Sequence, residues 1–322
     1  MEGAYYNGQY LNRLERLGYS QAEIDNKLES TFEEMFYGPE GVRLCHCAGP
    51  DMMYIEDTGN HDVRTEGMSY AMMFCVQMNR QKEFDCLWRW VVTHMYLTEG
   101  ENAGYFAWSC HTDGSKNSDG PAPDGEEFFA MSLFFAANRW GSGEGVLDYA
   151  SWARRILHAC VHKGEEAGSG FPMWNPENHL IKFIPNCEFT DPSYHLPHFY
   201  ELFALWSDEC DRPFWHAAAA ASRQYLRKAC HARTGLSAEY AEYDGRPHRG
   251  DQPDRHDWFF SDAYRTLGNI ALDAQWFGDK DGWAQETAAH IQQFFEEKEH
   301  GQTNGIYLID GTPVEGNALH PV

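Results

Sequence analysis

The chain has 322 residues, a formal net charge of -24 at neutral pH and 43% apolar residues. That length and apolar content suffice for a large core, and no Pro/Ser/Gly-rich linker or charge block marks a domain boundary. So acidic a chain argues against nucleic acid and anionic membranes as partners, because both would repel it, and disfavours a polyanionic substrate. A neutral or a cationic sugar polymer stays open. Aromatic residues make up 15%, with 11 Trp, 17 Tyr and 20 Phe. Such rings pack helical cores, and they also stack on the C–H faces of sugars.

The nine cysteines are odd in number and show no framework spacing, which reads as reduced thiols in a cytoplasmic protein. The segment Met1-Glu2-Gly3-Ala4-Tyr5-Tyr6 carries neither a basic stretch nor an apolar core, so no signal peptide is expected. No apolar run reaches the roughly 18 residues of a transmembrane helix. Cys45-His46-Cys47 lacks a second ligand pair and reads as free thiols near solvent. The 16 histidines contain no HExxH or paired ligand spacing, so no metal is expected.

Helical periodicity dominates the chain. Ser20-Gln21-Ala22-Glu23 is a capping box that opens a helix to about Phe36, stopped near Gly38-Pro39. The stretch from Glu66 to about Met78 is apolar on nearly every side, which implies burial all round. About Gln81 to Tyr96 is amphipathic, with Phe84, Leu87, Trp88, Val91 and Val92 on one stripe. Asp124 opens an apolar helix, Glu126 to Trp140, and about Val146 to Lys163 is again one-faced. Tyr194 to Asp208 is apolar and aromatic, about Pro213 to Cys230 is Ala-rich, Ser261 to Phe277 is apolar, and Gly282 to Lys298 is amphipathic. Short rim strands are expected at Leu236–Tyr240 and Ile306–Ile309. Apolar helices alternating with one-faced helices predict an all-α chain, an α/α toroid of inner helices wrapped by outer ones.

Three carboxylic acids sit at the starts of apolar helices: Glu66, Asp124 and Asp262. Inner helices of a toroid run parallel, so their first turns gather at one end, and the three acids would meet in one cleft. Singly, each is equally well a first-turn acid attracted by the helix dipole and free N–H groups. A carboxyl beside apolar walls and other carboxylates keeps its proton more tightly, which suits Glu66 to the work of a general acid.

Four segments carry a resemblance. Asp62-Val63-Arg64-Thr65-Glu66-Gly67-Met68-Ser69-Tyr70-Ala71-Met72-Met73 resembles the signature of glycoside hydrolase family 8. Asp124-Gly125-Glu126-Glu127-Phe128-Phe129-Ala130-Met131, Asp191-Pro192-Ser193-Tyr194-His195-Leu196-Pro197 and Phe260-Ser261-Asp262-Ala263-Tyr264-Arg265 are similar to its further motifs, in the family's order. Within the family, the chain looks most like the branch that releases xylose from the reducing end of xylo-oligosaccharides.

The resemblance implies an (α/α)6 barrel and an inverting hydrolysis that needs only water and no cofactor. It implies Glu66 as acid, Asp262 as base, Asp124 on the sugar at the cleavage subsite, and Tyr194 on the attacking water. Arg64 and Arg265 would tune the two catalytic carboxylates, and His320 would meet the reducing-end hydroxyl. Inversion needs room for a water, which sets the Glu66–Asp262 carboxyl separation at roughly 6.5–9.5 Å. Trp108, Trp174 and Tyr194 are the candidates for sugar stacking, because loop aromatics favour ligand contact, although rim packing fits the tryptophans equally well. His195 and His198 read as hydrogen-bonding residues of the cleft. The chain is taken as one catalytic domain, residues 1–322. About nine substantial helices are legible where a six-hairpin barrel needs twelve. Either short helices escape the periodicity, or the barrel lacks its last helices. An endo-acting xylanase, glucanase or chitosanase of the same family, and a non-catalytic sugar-binding toroid, are the rival readings.

Overall fold

The computed structural model describes residues 2–165, 169–250, 255–299 and 305–314. Its helices are α1 (Ala4–Asn7), α2 (Arg13–Arg16), α3 (Gln21–Tyr37), α4 (Thr65–Gln77), α5 (Gln81–Trp90), α6 (Pro123–Trp140), α7 (Tyr149–His162), α8 (Pro197–Trp206), α9 (Arg212–Ala229), α10 (Arg265–Phe277) and α11 (Trp283–Glu299). Two antiparallel pairs supply the strands: β1 (Cys45–Cys47) with β2 (Met53–Ile55), and β3 (Asp62–Arg64) with β4 (Ser109–His111). No helix among the described residues is long and apolar enough to cross a membrane.

The chain divides into two compact units, Tyr10–Phe171 and the combination of Met1–Gln9 with Pro172–Val322. In the N-terminal unit the capping box at Ser20 forms as expected: Glu23 N donates to Ser20 Oγ, and Ser20 N donates to the Glu23 carboxylate at 2.8 Å. The one-faced α5 turns its stripe inward, and its Trp88 is fully buried among Phe106, Phe129 and Trp152, whose ring centroids lie 5.4–5.9 Å away. The indole N–H is not left orphaned, because it donates to Val146 O at 2.8 Å. α5 then continues as one π-helical turn, Val91–Met95.

In the C-terminal unit, Trp215 of α9 is the buried centre, with Trp174, Tyr200 and Phe203 within 4.9–5.8 Å of its ring. Rings of this size stabilise a fold by about 2–3 kcal/mol each when removed from water. Residues near the N-terminus join this unit. The Tyr5 ring lies 5.1 Å from Phe277, and Gly3 approaches the end of α10 so closely that a Cβ would stand 2.2 Å from Trp276 O.

Four expectations from the sequence are corrected here. The helix predicted from Tyr194 begins at Pro197, after a 3-10 turn at Pro192–Tyr194. Proline fixes the start, since it suits the first helical position and pushes the preceding residue out of the helical region. Ser261–Tyr264 is likewise a separate 3-10 turn ahead of α10. The rim strand expected at Leu236–Tyr240 does not form, only Ala241 just after it bridging Thr190 and Pro247, and the one expected at Ile306–Ile309 reduces to Tyr307, which bridges Phe259 and Pro313. Cys45-His46-Cys47 proves to be a strand whose Cys45 is buried and pushed up to about 12 by that burial, while Cys47 stays at the surface.

A charged network ties α8, α9 and α10 together. Arg223 makes a two-pronged ion pair with Asp273, at 2.6 and 2.8 Å, and also donates to Glu201. Burial pushes the Asp273 carboxyl up, and Arg223 opposes that rise. Removing Arg223, whose side chain is only half-buried, leaves the charge of the buried Asp273 uncompensated. Arg223→Ala is therefore expected to lower unfolding stability by about 3 kcal/mol at pH 7 in urea titrations. The loss should shrink towards pH 4, as the stranded Asp273 takes up a proton; a loss independent of pH would contradict this reading.

Candidate active site

Each unit holds an acidic cluster, and each cluster is described by itself. In the N-terminal unit, β3 runs without a break into α4. Asp62 pairs with His111, Val63 with Cys110 and Arg64 with Ser109 along the β3–β4 ladder. Arg64 is the N-cap residue of α4 but offers no side-chain cap; instead Thr65 N donates to Trp108 O at 3.0 Å. Glu66 therefore stands in a first turn held by a neighbouring loop, half-buried, with Thr65 Oγ1 3.5 Å from its Oε2.

The Arg64 side chain is engaged within this unit. Its Nε donates to Asp62 Oδ1 at 3.0 Å and lies 3.8 Å from Asp57, and its guanidinium covers one face of the half-buried Trp108 at 5.2 Å. Ser109 Oγ donates to the other Asp62 oxygen at 2.9 Å. The cluster thus fixes Trp108 through both its backbone and its ring.

α6 brings the second acid of this unit. Pro123 sets its first turn, Asp124 is 3% exposed, and Gly125 N donates to Asp124 Oδ1 at 3.0 Å. A Cβ on Gly125 would stand 2.5 Å from Thr65 Cβ and 2.7 Å from Thr65 Oγ1. Glycine is therefore what lets the first turns of α4 and α6 touch, and with them the residues that carry Glu66 and Asp124. Glu126, next along α6, is fully buried, and Phe106 N donates to its Oε1 at 3.0 Å. Burial, then the charges of Asp124 and Glu66, hold the Glu126 carboxyl well above its usual range, so it keeps its proton.

In the C-terminal unit the turn Pro192–Tyr194 is opened by Asp191, which is buried and accepts from Ser193 N at 2.7 Å. Burial and the nearby Asp262 push Asp191 well up, while Arg265 pulls it down. Asp262 sits in the 3-10 turn before α10. Its Oδ2 lies 2.6 Å from Arg265 Nη2, and its side chain is 38% exposed, against 1% for Asp191 and 6% for Glu239 as residues. Glu239 is pushed up to about 8 by burial first and by Asp262 second, with Ser261 and Arg265 opposing. Among these three acids, Asp262 is the open carboxylate and the one with a cation against it.

Tyr194 is 4% exposed, with Phe183 stacked at 5.9 Å and the Arg265 guanidinium 5.7 Å from its ring centroid. Its carbonyl accepts from Tyr200 OH at 3.1 Å. His195 is wholly buried, with Nε2 3.0 Å from Thr190 Oγ1 and Nδ1 2.9 Å from Ser222 Oγ. Burial pushes both His195 and His198 down to about 3, so each is a neutral residue of the protein interior. Trp174 leaves the group of stacking candidates. It is 1% exposed, edge-on to Trp215 at 4.9 Å and to Tyr200 at 5.7 Å, because α8 and α9 cover a segment that reads from its Pro and Asn flanks as open loop. His320 lies outside the described residues. Asp191 and Glu126 fall in the sequence motifs without a role of their own, and Glu239 falls in the expected strand Leu236–Tyr240 without one.

The model of Glycosyl hydrolases family 8 matches residues 19–317. The chain belongs to that family. It is 54% identical over 322 residues to a reducing end xylose-releasing exo-oligoxylanase from Halalkalibacterium halodurans, spanning all of this chain and 81% of that protein. It is 55% identical to a protein of the same description from Bifidobacterium adolescentis, over 95% of this chain and 78% of the relative. Among solved structures it is similar to a variant of Rex8A from Paenibacillus barcinonensis complexed with an arabinofuranosyl-xylotetraose. The TM-score there is 0.95 at 53% identity, over 99% of this chain and 83% of that one. At that similarity the chain shares the family's fold, the (α/α)6 barrel expected from its sequence.

The contact at Gly125 yields a test. Gly125→Ala is expected to destabilise the protein by about 1–3 kcal/mol, through overpacking against Thr65. Thr65→Gly in the same chain removes the atoms that clash and should recover the part of the melting temperature lost to overpacking. If Gly125→Ala melts with the parent protein, the close approach of α4 and α6 is not what glycine serves.

Proposed function

We propose that this chain is an inverting glycoside hydrolase that shortens β-1,4-linked xylo-oligosaccharides by releasing xylose from the reducing end. The observation that carries the reading is identity of 54–55%, over nearly the whole chain, to enzymes named for that activity. Glu66 is the general acid that protonates the glycosidic oxygen. Asp262, with the Arg265 guanidinium 2.6 Å from its Oδ2, is the base that takes a proton from the attacking water. Asp124 holds the sugar ring at the point of cleavage, Tyr194 orients the water, and Arg64 and Arg265 tune the two catalytic carboxylates. Trp108 offers a ring face for a sugar, Arg64 braces the other face, and His320 meets the reducing-end hydroxyl.

The surroundings of the two acids favour these roles. A base must be ionised and reachable, and Asp262 is more open than its neighbours Asp191 and Glu239 and has a guanidinium 2.6 Å away. Glu66, half-buried, shares the first turns of α4 and α6 with Asp124 and Glu126, and its charge with that of Asp124 helps push the Glu126 carboxyl up. Hydrolysis by two carboxylates draws on water alone, so the reading calls for no cofactor. We also place the protein in the cytoplasm, as the nine free cysteines suggest.

Incubation with xylobiose through xylohexaose, followed by proton NMR, tests substrate, end of attack and stereochemistry together. Xylose should be the first small product, and the new reducing end of the shortened oligosaccharide should appear first as the α-anomer. A β-anomer would remove inversion, and a ladder of oligomers from long xylan would favour an endo-acting enzyme. Glu66→Gln and Asp262→Asn should each lower kcat by about 10²–10⁴-fold with little change in KM, the range for loss of a general acid or base. A variant that keeps full turnover would strip that residue of its role.

A further inference from the structure

We propose that Glu239 is a positioning residue for the Asp262 base: its buried carboxyl, held between His256 and Ser261, fixes the backbone turn on which Asp262 is presented. The inference rests on the proposed role of Asp262 and adds a residue to it.

The turn is unusual. Ser261, immediately before Asp262, has a φ of 47°, in the left-handed region that a side chain disfavours. Such a conformation persists only where its surroundings over-determine it. Here the surroundings are specific. The Ser261 hydroxyl donates to the Glu239 carboxyl. Glu239 Oε2 in turn lies 2.8 Å from His256 Nδ1. The backbone of the same segment is fastened to the strand-like stretch leading into the turn: Glu239 N donates to Trp258 O at 2.8 Å and Tyr240 N to His256 O at 2.9 Å. The Tyr240 ring then stacks on His256 at 4.2 Å and fixes the imidazole that holds Glu239. On the far side, Phe259 N donates to Tyr307 O at 2.7 Å, so the approach to Ser261 is pinned from both flanks.

The charged surroundings explain why an acid can serve here. The charged or titratable groups acting on Glu239 are Asp262, Arg265 and His256, with Tyr240 packed beside it. Burial and Asp262 push its carboxyl up to about 8. At neutral pH it therefore keeps its proton and braces Ser261 without adding a second full negative charge beside Asp262. A neutral isostere should do the same work, and a truncated side chain should not.

The test compares Glu239→Ala, Glu239→Gln and the double variant Glu239→Ala/Ser261→Gly with the parent protein, on whichever β-glycan the parent cleaves. Glu239→Ala should lose about 10- to 100-fold in kcat, the scale of a small misplacement of a catalytic group, with KM within about threefold. Glu239→Gln should return kcat to within a few-fold of the parent. The double variant should regain several-fold over Glu239→Ala, because glycine adopts the left-handed turn without a brace. Should Glu239→Ala not fold, Ser261→Ala removes the same hydrogen bond from the other partner and should lower kcat in the same way. The inference is overturned if Glu239→Ala or Ser261→Ala turns over within twofold of the parent, or if Glu239→Gln is as impaired as Glu239→Ala. A crystal structure of Glu239→Ala adds a reading that needs no turnover, and an unmoved Asp262 with Ser261 still left-handed would also overturn it. Failure of the parent on xylo-oligosaccharides, with cleavage of another glycan, would strike only the proposed substrate and leave this test standing.

Discussion

A carboxyl group taken out of water must keep its proton, collect backbone donors or sit against a cation, and both acidic clusters of this chain are built around that constraint. In the N-terminal unit, Glu126 keeps its proton and uses it to live beside Asp124 and Glu66. Asp62 takes the other route, receiving Arg64 on one oxygen and Ser109 on the other. In the C-terminal unit a single guanidinium, Arg265, offsets three acids. It pairs with Asp262 and draws down Asp191 and Glu239, both of which burial pushes up. Burial thus acts on the two acids sealed in the interior, Asp191 and Glu239, while the acid paired with the guanidinium is the one that faces outward.

The same constraint links chemistry to stability. Neutral buried acids tolerate their apolar surroundings, but they do so by holding a hydrogen bond that an apolar side chain could not offer. Glu126 anchors Phe106 N, which leads two residues on to Trp108, whose carbonyl receives Thr65 N beside Glu66. A chain of short contacts thus runs from an interior acid to the turn that bears Glu66. A hydrophobic replacement at Glu126 would spare the desolvation of a polar group and would also loosen that path.

How much of this was legible depended on the range of the interactions. The helices announced themselves, since periodicity and caps are local: Ser20 and Glu23 form their box as written, and the Ala-rich and amphipathic stretches became α9 and α11 within a residue or two. Boundaries moved where proline intervened, at Pro197, and where a 3-10 turn preceded the helix, at Ser261–Tyr264. Three-residue strands such as β1 and β3 are too short to display a period of two. The motif acids Glu66, Asp124 and Asp262 were visible because each opens an apolar stretch. Glu239 was not, because the partners that give it meaning, His256 and Ser261, lie 17 and 22 positions away and no local pattern ties them together. Trp174 misled for the converse reason: its neighbours in sequence are loop formers, and its neighbours in space are Trp215 and Tyr200.

The helix starts differ in how their first N–H groups are met. α3 and α7 begin with their own side-chain caps, Ser20 and Asp148. α4, α6 and α10 begin at Arg64, Ala122 and Tyr264 without one, as do α5, α8 and α9. An uncapped first turn leaves N–H groups and the positive end of the helix dipole to whatever anion is near. In α6 the chain's own Asp124 takes such a donor, receiving Gly125 N. A strong cap would satisfy those donors and gain about 1 kcal/mol per helix. It would also take the donors from the carboxylates and hold the first turn to the cap's geometry rather than to the neighbouring loop and helix. The close approach allowed by Gly125 and the left-handed Ser261 belong to the same choice. Positions that a stability-first design would regularise are the ones that decide where the acids point.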